Sequence, residues 1–219
     1  TECRARVMSG GLARAAAVMT AVFWLGISLM RVYPTDDAAL RALVMPEGGC
    51  AAPCLMGIRA GETGMQDALM QLVGHAWVKD LPSVMRPIDD INAATIYWNW
   101  NGSQPALVDA NWKGEIRLHR QVALSVLMKT TVPLGAVWLL LGETERGVVI
   151  PSEMRPGRDV SVILVYPDYS LLVRVNAPKQ SSWPDLWGLP VEIESVNGMA
   201  VDYFGGYRLP RLCGARCAG

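Results

Sequence analysis

Histidine and phenylalanine are scarce in this chain, with two of each among 219 residues. No function follows from the shortage of phenylalanine. Charge is scarce too, at 18%, and 20 basic residues balance 20 acidic ones to a net charge of zero. That balance leaves no basic face for nucleic acid, so nucleic acid is not an expected partner. Beyond residue 33 no apolar run approaches the roughly 18 residues that a membrane-spanning helix needs. The run "VWLLLG" is far too short to span.

Several chemical signatures are also missing. Cys54 is followed by Leu55 and Met56, so C-type haem attachment through C-x-x-C-H is excluded. There is no G-x-S-x-G elbow, no Gly-rich phosphate cradle and no calcium loop with oxygen ligands at alternating positions. His75 falls near the end of a predicted helix and His119 on the outward phase of a predicted strand; both read as ordinary surface or cap residues. Carboxylates are paired at Asp36-Asp37, Asp89-Asp90 and Glu192/Glu194. A glycosidase holds two carboxylates across a cleft. Glu192 and Glu194 would instead share one strand face, which reads as a solvated edge. No catalytic residue, no metal site, no cofactor and no enzymatic activity are expected.

What the chain does have begins with "AAAVMTAVFWLGISLM", the uncharged run from Ala15 to Met30. As a helix it spans roughly 24 Å at about 1.5 Å per residue, short of a hydrocarbon layer of about 30 Å. Arg14 and Arg31 snorkel outward and Leu12, Val32 and Tyr33 extend the apolar length. A cleaved signal peptide would end in small residues, and "SLMRVYP" offers none of that pattern. A surface helix would carry a polar stripe, and this run is apolar all round. The run therefore predicts one uncleaved membrane anchor, carried by Ala15, Val18, Val22, Phe23, Trp24, Leu25, Ile27, Leu29 and Met30. Gly26 and Ser28 would allow close approach of a second helix. Arg4, Arg6 and Arg14 precede the run, which predicts a cytoplasmic N-terminus and an extracytoplasmic remainder at the cell inner membrane.

In that oxidising compartment Cys50, Cys54, Cys213 and Cys217 are expected as disulfides, while Cys3 lies on the inner side as a free thiol. Two C-x3-C pairs are also a legitimate four-thiolate set for zinc, although C-x2-C is the commoner spacing. Four cysteines allow three connectivities. Local staples, Cys50–Cys54 and Cys213–Cys217, are the favoured pairing.

The remainder divides into a tail and anchor (1–33), a linker (34–49) and two modules (50–129 and 130–219), the second ending in the cysteine-containing tail. Thr63 is the candidate N-cap of a helix in which Met65, Ala68, Leu69, Leu72, Val73, Ala76 and Trp77 recur at helical spacing. Sixty-eight positions on, Thr131 to Gly142 repeats this grammar, with Pro133 near the start and Gly142 as a left-handed cap. Three strand-like runs follow each helix: "ATIYWNWNG", "GEIRLH" and "VALSVLMK", then "VSVILVY", "LLVRVN" and "PVEIESV". In "VALSVLMK", Val122, Leu124, Val126 and Met128 alternate with Ser125 and Lys129. "YPDY" and Asn197-Gly198 are turn signals. The expected fold is α+β: an anchor helix, then two tandem helix-plus-three-strand modules forming antiparallel sheet with helices on one face.

In "YWNWNG", alternation sets Tyr97 against Trp98 and Trp100. The Trp pair reads as core packing or, with Tyr97, as an aromatic platform for a partner.

One segment also carries a resemblance. Cys50, Pro53, Cys54, Gly57, Ile58, Gly61 and Thr63, with "HAWV", "PLGAVWLLLG" and "LVYPDYSLLV", resemble uncharacterised extracytoplasmic, membrane- or lipid-anchored proteins of Chloroflexota over roughly residues 50 to 197. Leu55 departs from that family, whose members often carry Trp there. The resemblance implies a compartment rather than a reaction. The helix-then-strands order is also similar to BamE-type lipoprotein modules and the tandem modules of β-lactamase inhibitor protein, which bind other proteins through a sheet face. The expected function is a membrane-anchored extracytoplasmic protein-binding module, an accessory subunit of a larger membrane complex such as a photosynthetic or respiratory one. Lipid and other subunits are its expected partners. The alternative is an envelope ligand-binding or hydrolytic protein with a site between the modules.

Overall fold

The computed structural model of the chain describes residues 17–22, 24, 37–44, 54–80, 82–151 and 158–209. Thr1–Asp36 and Asp37–Gly219 are separate compact units. In the first, residues 17–22 and 24 are helical, and Val18, Met19, Val22 and Trp24 are exposed. No helix among the described residues is long and apolar enough to cross a membrane. Of the expected anchor, Ala15, Phe23, Leu25, Gly26, Ile27, Ser28, Leu29 and Met30 lie outside the described residues.

The second unit is α+β and its sheet is antiparallel. It opens with α1 (Asp37–Val44) and a two-stranded hairpin, β1 (Cys54–Leu55) and β2 (Ile58–Arg59). Helix α2 (Met65–Gly74) leads into β3 (Ser83–Met85), β4 (Ala93–Trp98), β5 (Gly114–His119) and β6 (Val122–Pro133). Helix α3 (Leu134–Leu141) leads into β7 (Gly147–Pro151), β8 (Asp159–Tyr166) and β9 (Leu171–Pro178), then the short α4 (Trp183–Leu186), β10 (Pro190–Val196) and α5 (Gly198–Gly205). The eight long-sheet strands run β3-β4-β5-β6-β10-β9-β8-β7. That order is a palindrome: each half is a four-strand meander, and the last strand of each pairs with the other at the centre, Met128 opposite Ile193 and Leu127 opposite Glu194.

One face carries the main core. Ile96, Trp98, Ile116, Val126, Met128, Val173 and Ile193 from both halves pack under α1, α2 and α3, which contribute Leu40, Leu43, Ala68, Leu72, Leu134 and Val137. Burying each large aliphatic side chain contributes about 1.5–3 kcal/mol. The sequence pattern predicts helices on one face only, and the structure differs: α5 packs on the other. β8 is buried on both sides. Val162, Leu164 and Tyr166 join the main core, while Ile163 and Val165 join a second cluster with Leu172, Val196 and Val201. Ala200, Val201 and Phe204 of α5 cover that second cluster, which explains why "VSVILVY" is apolar without alternation.

Other sequence expectations change in detail. Gly64, not Thr63, is the N-cap of α2; Thr63 Oγ1 accepts from Arg59 N–H at 2.8 Å and closes the preceding turn instead. Pro133, the last residue of β6, is the N-cap of α3, and Thr131 lies inside the strand. Gly142 does end α3 at positive φ, but its ψ of −179° is extended rather than left-handed helical. In β6 the pairing with β5 slips between Arg117 opposite Ser125 and Leu118 opposite Ala123. Leu124 is the extra residue, so Ala123 rather than Leu124 shares the core with Val126 and Met128. Asn197 does not make a hairpin turn; it caps α5, accepting from Ala200 N–H at 3.1 Å.

The family-like motif has a local explanation. Met56 (φ 56°) and Gly57 (φ 79°) form the two-residue turn of the β1–β2 hairpin, where both positions need positive φ. Gly61 (φ 89°) lets the chain bend back so that its N–H reaches Ala123 O at 2.6 Å. Cys54, at the hairpin's start, is buried. It is the sole cysteine among the described residues; Cys50, Cys213 and Cys217, with which the expected staples would be made, lie outside them.

Gly114 marks a tight point of the core. A Cβ there would meet Trp98 Cε2 and Cζ2 at 2.1 Å, and Trp98 is only 1% exposed and has nowhere to go. Gly114→Ala is expected to cost at least about 2 kcal/mol. Gly74→Ala, in the last turn of α2 with nothing within 4 Å, is expected to add roughly 0.5 kcal/mol. Urea denaturation of both variants checks the contrast.

Candidate functional site

The face of the sheet opposite the main core is open at its centre. Alternation brings polar side chains onto it from consecutive strands: Tyr97 from β4, Glu115 and Arg117 from β5, Lys129 from β6, Glu192 and Glu194 from β10, Arg174 and Asn176 from β9, and Ser161 from β8. All of these except Glu194 line a cleft of about 420 Å³ lying across the seam between the two halves. Trp112 forms one wall and Ile150 belongs to the opposite side.

The charges alternate along a row. Glu115 pairs with Arg117 at 2.7 Å, and Arg117 reaches Glu194 at 3.7 Å. Arg174 stands between Glu194 (3.8 Å) and Glu192 (4.0 Å), and Glu192 meets Lys129 at 3.0 Å. Asn176 donates to Glu192 Oε1 at 3.2 Å and accepts from Ser161 Oγ at 2.6 Å. Lys129 Nζ also lies 3.5 Å from the centre of the Trp112 ring, a cation–π contact. Glu192 and Glu194 are therefore not on a solvated edge. They sit on a central strand, their side chains 11% and 8% exposed. Such carboxylates lose hydration and regain it only through their neighbours.

Trp112 is held by its loop. Its carbonyl accepts from Trp100 Nε1 at 2.7 Å, and Asp109 N–H bonds to Lys129 O at 3.0 Å. Asp109 Oδ1 closes the turn by accepting from Asn111 N–H at 3.0 Å. Trp98 and Trp100 themselves face the main core, with ring centres 5.4 Å apart and edge to face. Their burial is incompatible with a docking platform, and of the aromatic run only Tyr97 lines the open cleft.

His75, Asp89, Trp98 and Trp100 do not line the cleft. His75 ends α2 and packs edge-on against Trp77 at 4.8 Å. His119 lies 3.9 Å from Asp90. Trp112, Glu115, Arg117, Lys129, Ser161, Arg174 and Asn176 are members of the site that sequence reasoning missed. Lys129 and Arg174 showed only as polar positions within apolar strands, and Trp112 stood in a loop without periodicity. Among the described residues no group of three or more His, Cys, Asp and Glu could hold a metal ion.

No protein-family model, curated protein or solved structure matches the chain.

The ionic row makes a measurable claim. Glu192→Ala removes a shared partner of Lys129 and Arg174, and is expected to destabilise by about 3 kcal/mol. A Glu192→Ala/Lys129→Ala cycle in urea should show coupling of roughly 1 kcal/mol or more. Coupling near zero would mean that the row is only a solvated surface.

His75 supplies a pH dependence. Burial lowers its pKa from the ordinary 6.5, and its Nδ1 accepts the Trp77 N–H at 3.2 Å, which requires that nitrogen unprotonated. The unfolded chain therefore binds this proton more readily than the folded one. The contribution is complete above the ordinary value of about 6.5 and is lost as pH falls through it toward the lower folded value. Urea midpoints followed from about pH 7 to pH 5 should decline less in His75→Gln than in the parent chain.

Proposed function

We propose that the chain is a membrane-anchored extracytoplasmic protein-binding module, an accessory subunit of a larger membrane complex with no catalysis of its own. It presents the open sheet face to a protein partner. The observation that carries this reading is the Glu115–Arg117–Glu194–Arg174–Glu192–Lys129 row beside Tyr97 and Trp112. Held in place by one another, these side chains offer alternating charge and aromatic surface with little conformational entropy left to lose. Pre-ordered charge of this kind fixes register and partner choice more than raw affinity. Tyr and Trp add the contact area that anchors interfaces. The apolar run at Ala15–Met30 supports the anchor, and the basic residues before it support the orientation.

A photo-crosslinking residue at Trp112, compared with one at Met70 on the exposed side of α2, tests the face in native membranes. A discrete heterologous adduct from position 112 and none from position 70 is expected. Adducts from neither position, with the protein recovered alone in mild detergent, would count against a binding role. Recovery in the soluble fraction after carbonate extraction would remove the anchor from the proposal while leaving the face intact.

A further inference from the structure

A second cavity, of about 470 Å³, opens beside α3. Three indoles line it: Trp138 from α3, and Trp183 and Trp187 from the α4 segment. Trp138 is the shared member, 5.6 Å from the Trp183 ring centre and 5.7 Å from that of Trp187. Glu143 and Glu145, in the segment leaving α3, stand at the rim and are exposed.

The wall is built rather than incidental. The N–H groups of Leu134 and Gly135, in the first turn of α3, donate to Leu189 O at 2.9 Å and Trp187 O at 3.0 Å. A Cβ on Gly135 would fall 2.5 Å from Trp187 Cε3, so the absence of a side chain is what seats that ring. Asp185 accepts from both Ser182 N–H and Ser182 Oγ at 2.7 Å, which closes the turn carrying Trp183 and Trp187. Those hydrogen bonds hold the Asp185 carboxyl below its ordinary value.

Each part of this cavity favours the same ligand chemistry. Indole faces attract cations that shed water easily. The carbonyl end of α3 carries partial negative charge toward Glu143. Two carboxylates against the single guanidinium of Arg208 leave the rim net negative. A small hydrated metal ion would not exchange its water for indole, and an anion would face the carboxylates. We propose that the Trp138–Trp183–Trp187 cavity is a binding site for a methylated ammonium group, whether on a free small molecule or on a lipid headgroup. The site is separate from the sheet face and does not depend on the reading given to that face.

The test uses the full chain in a detergent lacking a choline-like headgroup. Tryptophan fluorescence and calorimetry follow titration with choline and with 3,3-dimethyl-1-butanol, its neutral isostere. Choline is expected to bind about tenfold or more tighter than the alcohol, the margin that a desolvated cation–π contact supplies. Glu143→Gln/Glu145→Gln alters only exposed rim residues and should weaken choline several-fold with an unchanged melting curve. Trp183→Leu should abolish binding, and the rim variant keeps the test valid if that chain does not fold. Vesicles of phosphatidylcholine against phosphatidylglycerol then separate the sources: selective flotation with the former assigns a headgroup, and its absence beside choline binding assigns a free ligand. Equal binding of choline and the alcohol, or saturation by neutral saccharides with choline silent, overturns the proposal.

Discussion

The pairing of β6 with β10 is the contact on which the rest of the structure depends. It joins two meanders into one sheet, so that a single core passes beneath both. On one side of that seam Met128 lies opposite Ile193, and both are fully buried under the helices. On the other side Lys129 lies opposite Glu192, and the ionic row begins. One register thus fixes both faces: a slip of a single residue would turn Glu192 and Glu194 into the main core and Ile193 out of it. Thr130 reinforces the register by donating to Val191 O at 2.8 Å.

Long elements with uniform surroundings were legible in the sequence. Six strands and the two main helices lie where periodicity and apolar runs put them, and "YPDY" became a tight turn, Pro167–Tyr169. Elements whose surroundings are set from far away were not. β3 has three exposed residues, and β7 exists because β8 offers it a ladder. α5 shows no strong apolar stripe, and its role follows from β8 being apolar on its second face. Leu124 looked like a core residue because alternation carries no sign of a bulge.

The candidate site was less legible for the same reason. Glu192 and Glu194 read as solvated because a strand's own sequence does not say what lies beside it. Their neighbours come from β5, β6 and β9, up to 77 positions away in the case of Arg117 and Glu194. The buried carboxylates become reasonable only once Arg117, Lys129, Arg174 and Asn176 are placed around them. The tryptophan cavity likewise needs Trp138 and two indoles about fifty positions later. Tyr166 links that end of α3 to the sheet: burial pushes its hydroxyl up to about 12, and it donates to Gly142 O at 3.3 Å.

The palindromic order places the weakest strands outermost. β3 is flanked by Pro82 and Pro87, and β7 closes on Pro151. Proline has no N–H to offer a new ladder, and a three-residue border is too brief to template one. Fibril-like growth through the margins is therefore discouraged at both ends, and the broad surfaces are left as the regions where another molecule can attach.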